Sequence, residues 1–247
     1  KAYQTKVYEL PVGSRISKGK AIHNFLEIPP AEKISAIITY STVRGKAPGY
    51  IVMMTEHGVI KKTAISEFEN VRRTGIIAIG LKKGDSLGWV KLSTGKEELI
   101  LTTIKGQAIR FKESEVRPMG RTAAGVRGIS LRKGDCVGAF DVISPEKLGY
   151  KVLVVMDNGF AKLTELKAYK VQKRGGKGIL TAKVTPKTGE LVSSHMISDE
   201  KEILAISVKG QMLRTELSSV RSTGRAAQGV RIMRLKPGDK IAGTVCF

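Results

Sequence analysis

A pattern with a period of about fifty residues runs through this chain and constrains its fold more than any other feature. Segments 51–63, 99–110, 152–162 and 203–214 each read as an aliphatic run, a glycine turn, and a second short run ending in a cation. The turn glycines are Gly58, Gly106, Gly159 and Gly210. Glycine reaches positive φ without a steric penalty, and Asn158-Gly159 is a strong hairpin signal, so four β-hairpins are predicted. A second element reads Arg-x-x-x-Gly at Arg15/Gly19, Arg121/Gly125, Arg174/Gly178 and Arg225/Gly229, with a degenerate copy at Arg72-Arg73-Thr74-Gly75. A third closes each unit with a turn and a strand. The turns hold Gly84-Asp85, Gly134-Asp135, Gly189-Glu190 or Gly238-Asp239; the strands are Leu87–Ser93, Val137–Ile143, Leu191–Ile197 and 241–247. Segment 34–40 matches as the closing strand of an earlier unit. Segment 3–10 reads as the second arm of that unit's hairpin. Its first arm is expected before Lys1, so the chain reads as a piece of something longer.

Five repeats follow, at about 1–43, 44–95, 96–145, 146–198 and 199–247. No Pro/Ser-rich linker separates them, so a single domain over 1–247 is expected. Helical periodicity is nearly absent, and Glu67-Phe68-Glu69 is at most a turn. Four-stranded units at this period predict an all-β, propeller-like ring.

Charge narrows the function. Lys and Arg number 43 against 22 Asp and Glu, a net charge of +21 spread along the whole chain. A folded protein this basic is expected to meet a polyanion. With 41% hydrophobic residues there is enough apolar sequence for a core, which excludes a disordered polycation. No apolar run is long enough to span a membrane, and no membrane partner is expected. Cys136 and Cys246 cannot make a disulfide framework, and neither has a nearby His to activate it. His23, His57 and His195 share no ligand spacing, so no metal and no cofactor are expected. Asp85, Asp135 and Asp239 recur in Gly-Asp turns and read as turn formers rather than catalytic acids. Trp89 and Phe140 read as equivalent core residues of two closing strands. No phosphate-binding loop of the Gly-x-x-x-x-Gly-Lys-Ser/Thr type occurs, so no ATP hydrolysis and no catalysis are expected of this chain alone.

Several signatures together resemble one family. They are Lys6-Val7-Tyr8-Glu9-Leu10-Pro11, Ser14–Asn24 with Arg15 and Gly19, Thr74-Gly75-Ile76-Ile77-Ala78-Ile79, and Met119-Gly120-Arg121-Thr122-Ala123-Ala124-Gly125-Val126-Arg127-Gly128. The chain resembles, over essentially its whole length, the C-terminal DNA-wrapping domain of DNA gyrase A, part of a type II DNA topoisomerase. The resemblance implies a β-pinwheel, a ring of usually six blades that exchange strands, with duplex DNA wrapped on a basic outer rim. Five to six four-stranded blades are thus expected. The family's seven-residue box, Gln-Arg-Arg-Gly-Gly-Arg/Lys-Gly, is matched by Gln172, Lys173, Arg174, Gly175, Gly176, Lys177 and Gly178, with Lys173 as the departure. In the family the box typically belongs to the first blade, whereas this copy sits in the fourth repeat; the functional box is then expected upstream of Lys1. The sister family, the C-terminal domain of topoisomerase IV, has a degraded box and is the alternative. The resemblance further implies a role beside the rest of gyrase A and gyrase B, in the bacterial cytoplasm at the nucleoid. There the domain would support ATP-dependent negative supercoiling by the whole enzyme.

The residues themselves suit phosphate contact. A guanidinium offers a planar donor fork to phosphate oxygens, and glycine lets backbone N–H groups come close. Arg15, Lys18, Lys20, Arg72, Arg73, Arg121, Arg127, Lys173, Arg174, Lys177, Arg221, Arg225 and Arg231 are the expected DNA contacts, as exposed cations whose individual removal leaves folding intact. No recognition helix or zinc-finger spacing occurs and aromatics are 5%, so binding is expected to be largely independent of base sequence. A protein-binding propeller is the rival from another class. It would carry neutral faces and recurring Trp-Asp motifs, which this sequence lacks.

Overall fold

The fold is taken from a computed structural model that describes residues 1–14, 16–29, 32–41, 49–146 and 149–247. The strands are β1 (Tyr50–Thr55), β2 (Val59–Ala64), β3 (Leu87–Ser93), β4 (Glu98–Thr103), β5 (Gln107–Lys112), β6 (Val126–Arg127), β7 (Val137–Ile143) and β8 (Lys151–Met156). They continue with β9 (Phe160–Glu165), β10 (Ile179–Leu180), β11 (Leu191–Ile197), β12 (Glu202–Ser207), β13 (Met212–Glu216), β14 (Val230–Arg231) and β15 (Ile241–Cys246). Among the described residues there is no α-helix; a 3-10 turn over Ile65–Phe68 follows β2, and similar turns recur after β5, β9 and β13.

The four hairpins form about their glycines as expected, with Met54 opposite Ile60, Thr102 opposite Ala108, Val155 opposite Ala161 and Ile206 opposite Met212. Each closing strand pairs antiparallel with the first arm of its own hairpin. Carboxylates in the Gly-Asp turns tie the two together. Asp85, Asp135 and Asp239 accept the backbone N–H of His57, Lys105 and Lys209 at 3.0, 3.1 and 3.1 Å. In the fourth repeat Glu190 replaces the aspartate. There Asp157, in the hairpin turn, accepts the Glu190 N–H at 3.0 Å instead.

In the three four-stranded sheets the fourth strand is not the repeat's own, and the last sheet has three strands. Sheet orders are β3-β1-β2-β6, β10-β5-β4-β7, β11-β8-β9-β14 and β13-β12-β15. Strand β6, from the third repeat, pairs Val126 with Ile60 and Arg127 with Val59 in the second. Strand β10 joins the third repeat's sheet through Ile179–Ala108, and β14 the fourth repeat's sheet through Val230–Ala161. The same exchange links the second repeat to the first: Ala2 N–H donates to Ile76 O at 2.8 Å, and Ile76 N–H returns the bond at 3.0 Å. The degenerate copy at Arg72–Gly75 therefore launches the same kind of bridge, as an isolated one.

Two expected strands are corrected. Segments 3–10 and 34–40 are not strands; Val7–Glu9 is a 3-10 turn. A strand exists through its ladder bonds. Among the described residues neither segment has a ladder partner, although Ile38 and Tyr40 still pack on the apolar core of the second repeat's sheet. Trp89 and Phe140 are not equivalent either. Trp89 sits opposite Met54, while Ala139 sits opposite the matching Thr102. Both nevertheless enter one apolar cluster.

The cores lie between successive sheets. Leu99 and Leu101 point into a cluster with Val52, Met54 and Ile60 of the preceding sheet. Ile100 points the other way, toward Val152, Val154 and Met156. Side chains alternate along a strand, so a sheet apolar on both faces is packed on both sides. Strands β3, β7, β11 and β15 contact one another in sequence, which places the exchanged strands on the opposite edge of each sheet.

Candidate nucleic-acid interface

Each exchanged strand is launched by an Arg-x-x-x-Gly loop, and the glycine explains why. Gly125, Gly178 and Gly229 have φ of +102°, +72° and +85°. A Cβ there would lie 2.6, 2.6 and 2.4 Å from the carbonyl oxygens of Ile60, Ala108 and Ala161 on the preceding sheet. The glycine is thus needed twice: for its backbone angle and for the close approach of the two chains. Gly75 and Gly19 share the positive φ, at +73° and +70°.

The first residue of the loop is the recurring arginine. Arg121, Arg174 and Arg225 occupy matching positions, and all three are half-buried rather than fully exposed. This corrects the expectation of freely solvated cations, because neighbouring loops hold them. Arg174 Nη1 donates to Arg127 O, its Nε donates to Glu115 O at 3.2 Å, and its N–H donates to Glu115 Oε2 at 2.8 Å. Arg225 Nη1 donates to Leu180 O at 3.0 Å. Arg127 and Leu180 are equivalent residues of β6 and β10, so each arginine grips the exchanged strand before its own. Arg121 Nε lies 3.7 Å from Glu67 Oε2. A guanidinium has five N–H donors, so anchoring by one arm leaves donors for a phosphate.

The remaining expected contacts divide by surroundings. Lys18, Lys20, Arg72, Arg73, Arg127, Lys173, Lys177, Arg221 and Arg231 are exposed. Arg73 pairs loosely with Glu27 at 3.5 Å, and Arg231 lies over the Phe160 ring at 5.1 Å. Arg15 lies outside the described residues. Arg127 and Arg231 are on the exchanged strands themselves, and the Arg127 carbonyl accepts the loop arginine Arg174.

The box-like motif is a docking loop between repeats. Gln172 N–H donates to Arg110 O at 2.7 Å, and Gly175 N–H donates to Gly128 O at 2.8 Å. Ser130 N–H donates to Gly176 O, also at 2.8 Å. The Gly175 amide is therefore committed to protein and does not form an open anion nest. Lys173 and Lys177 flank this docked backbone on the exposed side.

Cations that sequence reasoning does not single out lie beneath the rim. In the sequence, the cation ending each hairpin is only a recurring pattern. In the structure Lys61 and Lys162 are buried, with their ammoniums against the loop backbones. Lys62 is also buried, 3.2 Å from Glu113. Arg110, at the same register position, bonds Leu166 O and Tyr169 O of the following repeat at 3.1 and 3.0 Å.

Other chemistry is weakly placed. Burial pushes the Cys246 thiol up to about 12 and raises that of Cys136, away from thiolate reactivity. His195 Nε2 is 2.7 Å from Thr244 Oγ1 and is lowered chiefly by burial. Among the described residues no three His, Cys, Asp or Glu side chains could hold a metal, and no helix is long and apolar enough to cross a membrane.

Comparisons with known proteins agree with this geometry. The family described as DNA gyrase C-terminal domain, beta-propeller, matches residues 1–39, 49–91, 97–139, 151–198 and 201–247. DNA gyrase A of Staphylococcus epidermidis is 40% identical over 242 residues, covering 98% of this chain and 27% of that protein. The chain thus spans about a quarter of the length of such curated relatives. A solved DNA gyrase A C-terminal domain superposes with a TM-score of 0.83 at 25% identity, over 99% of this chain and 78% of that one. The C-terminal domain of a DNA topoisomerase IV superposes with a TM-score of 0.84 at 24% identity, over 92% and 70%, and shares the fold.

Proposed function

This chain belongs to the DNA gyrase C-terminal beta-propeller family, and from that premise we propose that it is a non-catalytic module that binds duplex DNA and wraps it along its basic edge. The observation that carries the reading is the recurrence of one Arg-x-x-x-Gly loop on every exchanged strand from β6 to β14, in a chain of net charge +21. Bending a site of 20–30 bp by 40–90° costs on the order of 1–6 kcal/mol, so a wrap needs many ionic contacts in succession. Regularly spaced loops supply them. The contacts are Arg121, Arg174 and Arg225 with Arg15, Lys18, Lys20, Arg72, Arg73, Arg127, Lys173, Lys177, Arg221 and Arg231 beside them. They address phosphates, and binding is largely independent of base sequence. The strand that each repeat passes to its predecessor supports reading 1–247 as one domain.

In the whole enzyme the wrap presents a DNA segment to the rest of gyrase A and to gyrase B in the bacterial cytoplasm, and ATP-driven strand passage turns it into negative supercoils. The catalytic groups for those steps belong to the parts outside this chain. A gel shift with random-sequence duplexes across a salt series tests the binding. The expected log–log slope is steeper than about −2, with little dependence on sequence. A shallower slope, or strong preference for one sequence, contradicts it.

A further inference from the structure

Lys61 and Lys162 occupy one register position, the third residue after the hairpin glycines Gly58 and Gly159. Ile109 and Leu213 fill that position in the third and fifth repeats, so the site between sheets accepts an apolar side chain. Lys61 is 0% and Lys162 2% exposed. A buried ammonium is costly unless every donor finds a partner. Their partners are specific. Lys61 Nζ donates to Ala78 O at 2.7 Å and to the carbonyl of Arg121. Lys162 Nζ donates to Gly224 O at 3.0 Å and to the carbonyl of Arg225. Arg121 and Arg225 open loops that come from the following repeat. The intervening loop has Ile109 beneath it and is secured from the other side, by the bonds of Arg174 to Glu115 and Arg127.

We propose that Lys61 and Lys162 are positioning residues for DNA wrapping: each ammonium clamps the backbone of a rim arginine from inside the fold and fixes where its guanidinium meets phosphate. The inference rests on the wrapping reading above. It adds residues that touch no DNA yet set the geometry of those that do. It also distinguishes loops clamped by a lysine from beneath, at Arg121 and Arg225, from the loop at Arg174, which has the apolar Ile109 in that position.

Titration gives a handle that needs no substitution. Burial lowers both ammoniums to about 8. Lys61 faces Glu67, which opposes the shift, and Arg121, which adds to it; the segment 76–80 that supplies the Ala78 carbonyl carries no charge. Lys162 has Arg225 as its charged neighbour. A neutral amine keeps fewer donors and loses the charge-assisted bonds, so the clamp loosens above pH about 8. The contribution of these groups to stability runs the other way. Their folded pKa lies below the unfolded value of 10.5, so between about 8 and 10.5 the unfolded chain binds more protons and stability rises with pH. Titration of these two lysines therefore does not itself unfold the chain on that side.

The experiment measures end-to-end shortening of a random-sequence duplex by energy transfer, with thermal unfolding alongside, for this chain and for Lys61→Met/Lys162→Met. Parent shortening is expected to fall as pH rises through about 8, and the variant to shorten DNA roughly two-fold less than the parent at neutral pH with a flat pH profile. In an Arg121→Ala/Arg225→Ala background the lysine substitutions are expected to add nothing. Equal shortening by parent and variant at neutral pH overturns the proposal, as does a flat parent profile or a full additional loss in the arginine-free background. If the variant does not fold, the parent profile decides alone. A parent that shortens DNA at no pH overturns the wrapping reading itself, and this inference with it.

Discussion

Lys62 Nζ lies 3.2 Å from Glu113 Oε1 across the boundary between the second and third repeats, with both side chains almost entirely out of water. Ser93 Oγ donates to the same carboxylate oxygen at 2.8 Å. The pair latches one sheet to the next. Breaking a buried pair by removing one partner leaves a buried charge uncompensated. Lys62→Met is expected to destabilise the fold by roughly 3 kcal/mol in urea unfolding, at the low end for such pairs because burial already raises Glu113 and lets it take up a proton. A loss below about 1 kcal/mol would show that the latch contributes no more than a surface pair.

Glu97 stands beside that latch and titrates in the opposite sense. Burial alone would raise its carboxyl. The N–H groups of Thr94, Gly95 and Lys96, the Thr94 hydroxyl and the Glu113 carboxyl hold it at about 2 instead. A folded pKa below the unfolded value contributes stability that is lost as pH falls from about 4.5 toward 2. Stability measured over that window is expected to drop in the parent and to drop less in Glu97→Gln. Parallel curves would contradict the assignment.

The glycines of the exchange loops should separate from turn glycines of equal φ. A Cβ added to Gly229 (φ +85°) would lie 2.4 Å from Ala161 O, whereas one added to Gly84 or Gly210 (both φ +81°) would meet nothing within 4 Å. Gly210→Ala should cost only the left-handed strain, about 1–2 kcal/mol. Gly229→Ala should cost clearly more, because β14 can no longer dock on β9. Equal thermal shifts would mean that the close approach is not part of the fold's stability.

Arg225 is both a loop anchor and a proposed phosphate contact. Arg225→Ala should lower the salt slope of DNA binding by about 1. Loss of its 3.0 Å bond to Leu180 O should cost stability of at most about 1 kcal/mol. An unchanged slope with a lowered melting temperature would assign it to the fold alone.

Much of this architecture was legible in the sequence. The closing strands Leu87–Ser93, Val137–Ile143 and Leu191–Ile197 stand at the residues expected, because a Gly-Asp or Gly-Glu turn leads into each of them. The two-residue strands β6, β10 and β14 have no periodicity of their own, and their partners belong to another repeat. Their exchange was accessible only through family resemblance. The buried lysines escaped for a related reason. A cation at a strand end reads as solvated, and what buries Lys61 and Lys162 is loop backbone from the next repeat. The half-burial of Arg174 and Arg225 has the same origin, since Glu115, Arg127 and Leu180 reach them across repeat boundaries.

On the reading proposed above, successive rim loops form one DNA track. Energy transfer between the ends of a random-sequence duplex tests it directly, comparing this chain with Arg121→Ala/Arg225→Ala at matched saturation. The parent is expected to shorten the end-to-end distance and the double variant to bind but shorten it far less, because a wrap needs consecutive contacts. A double variant that bends DNA as the parent does would contradict it.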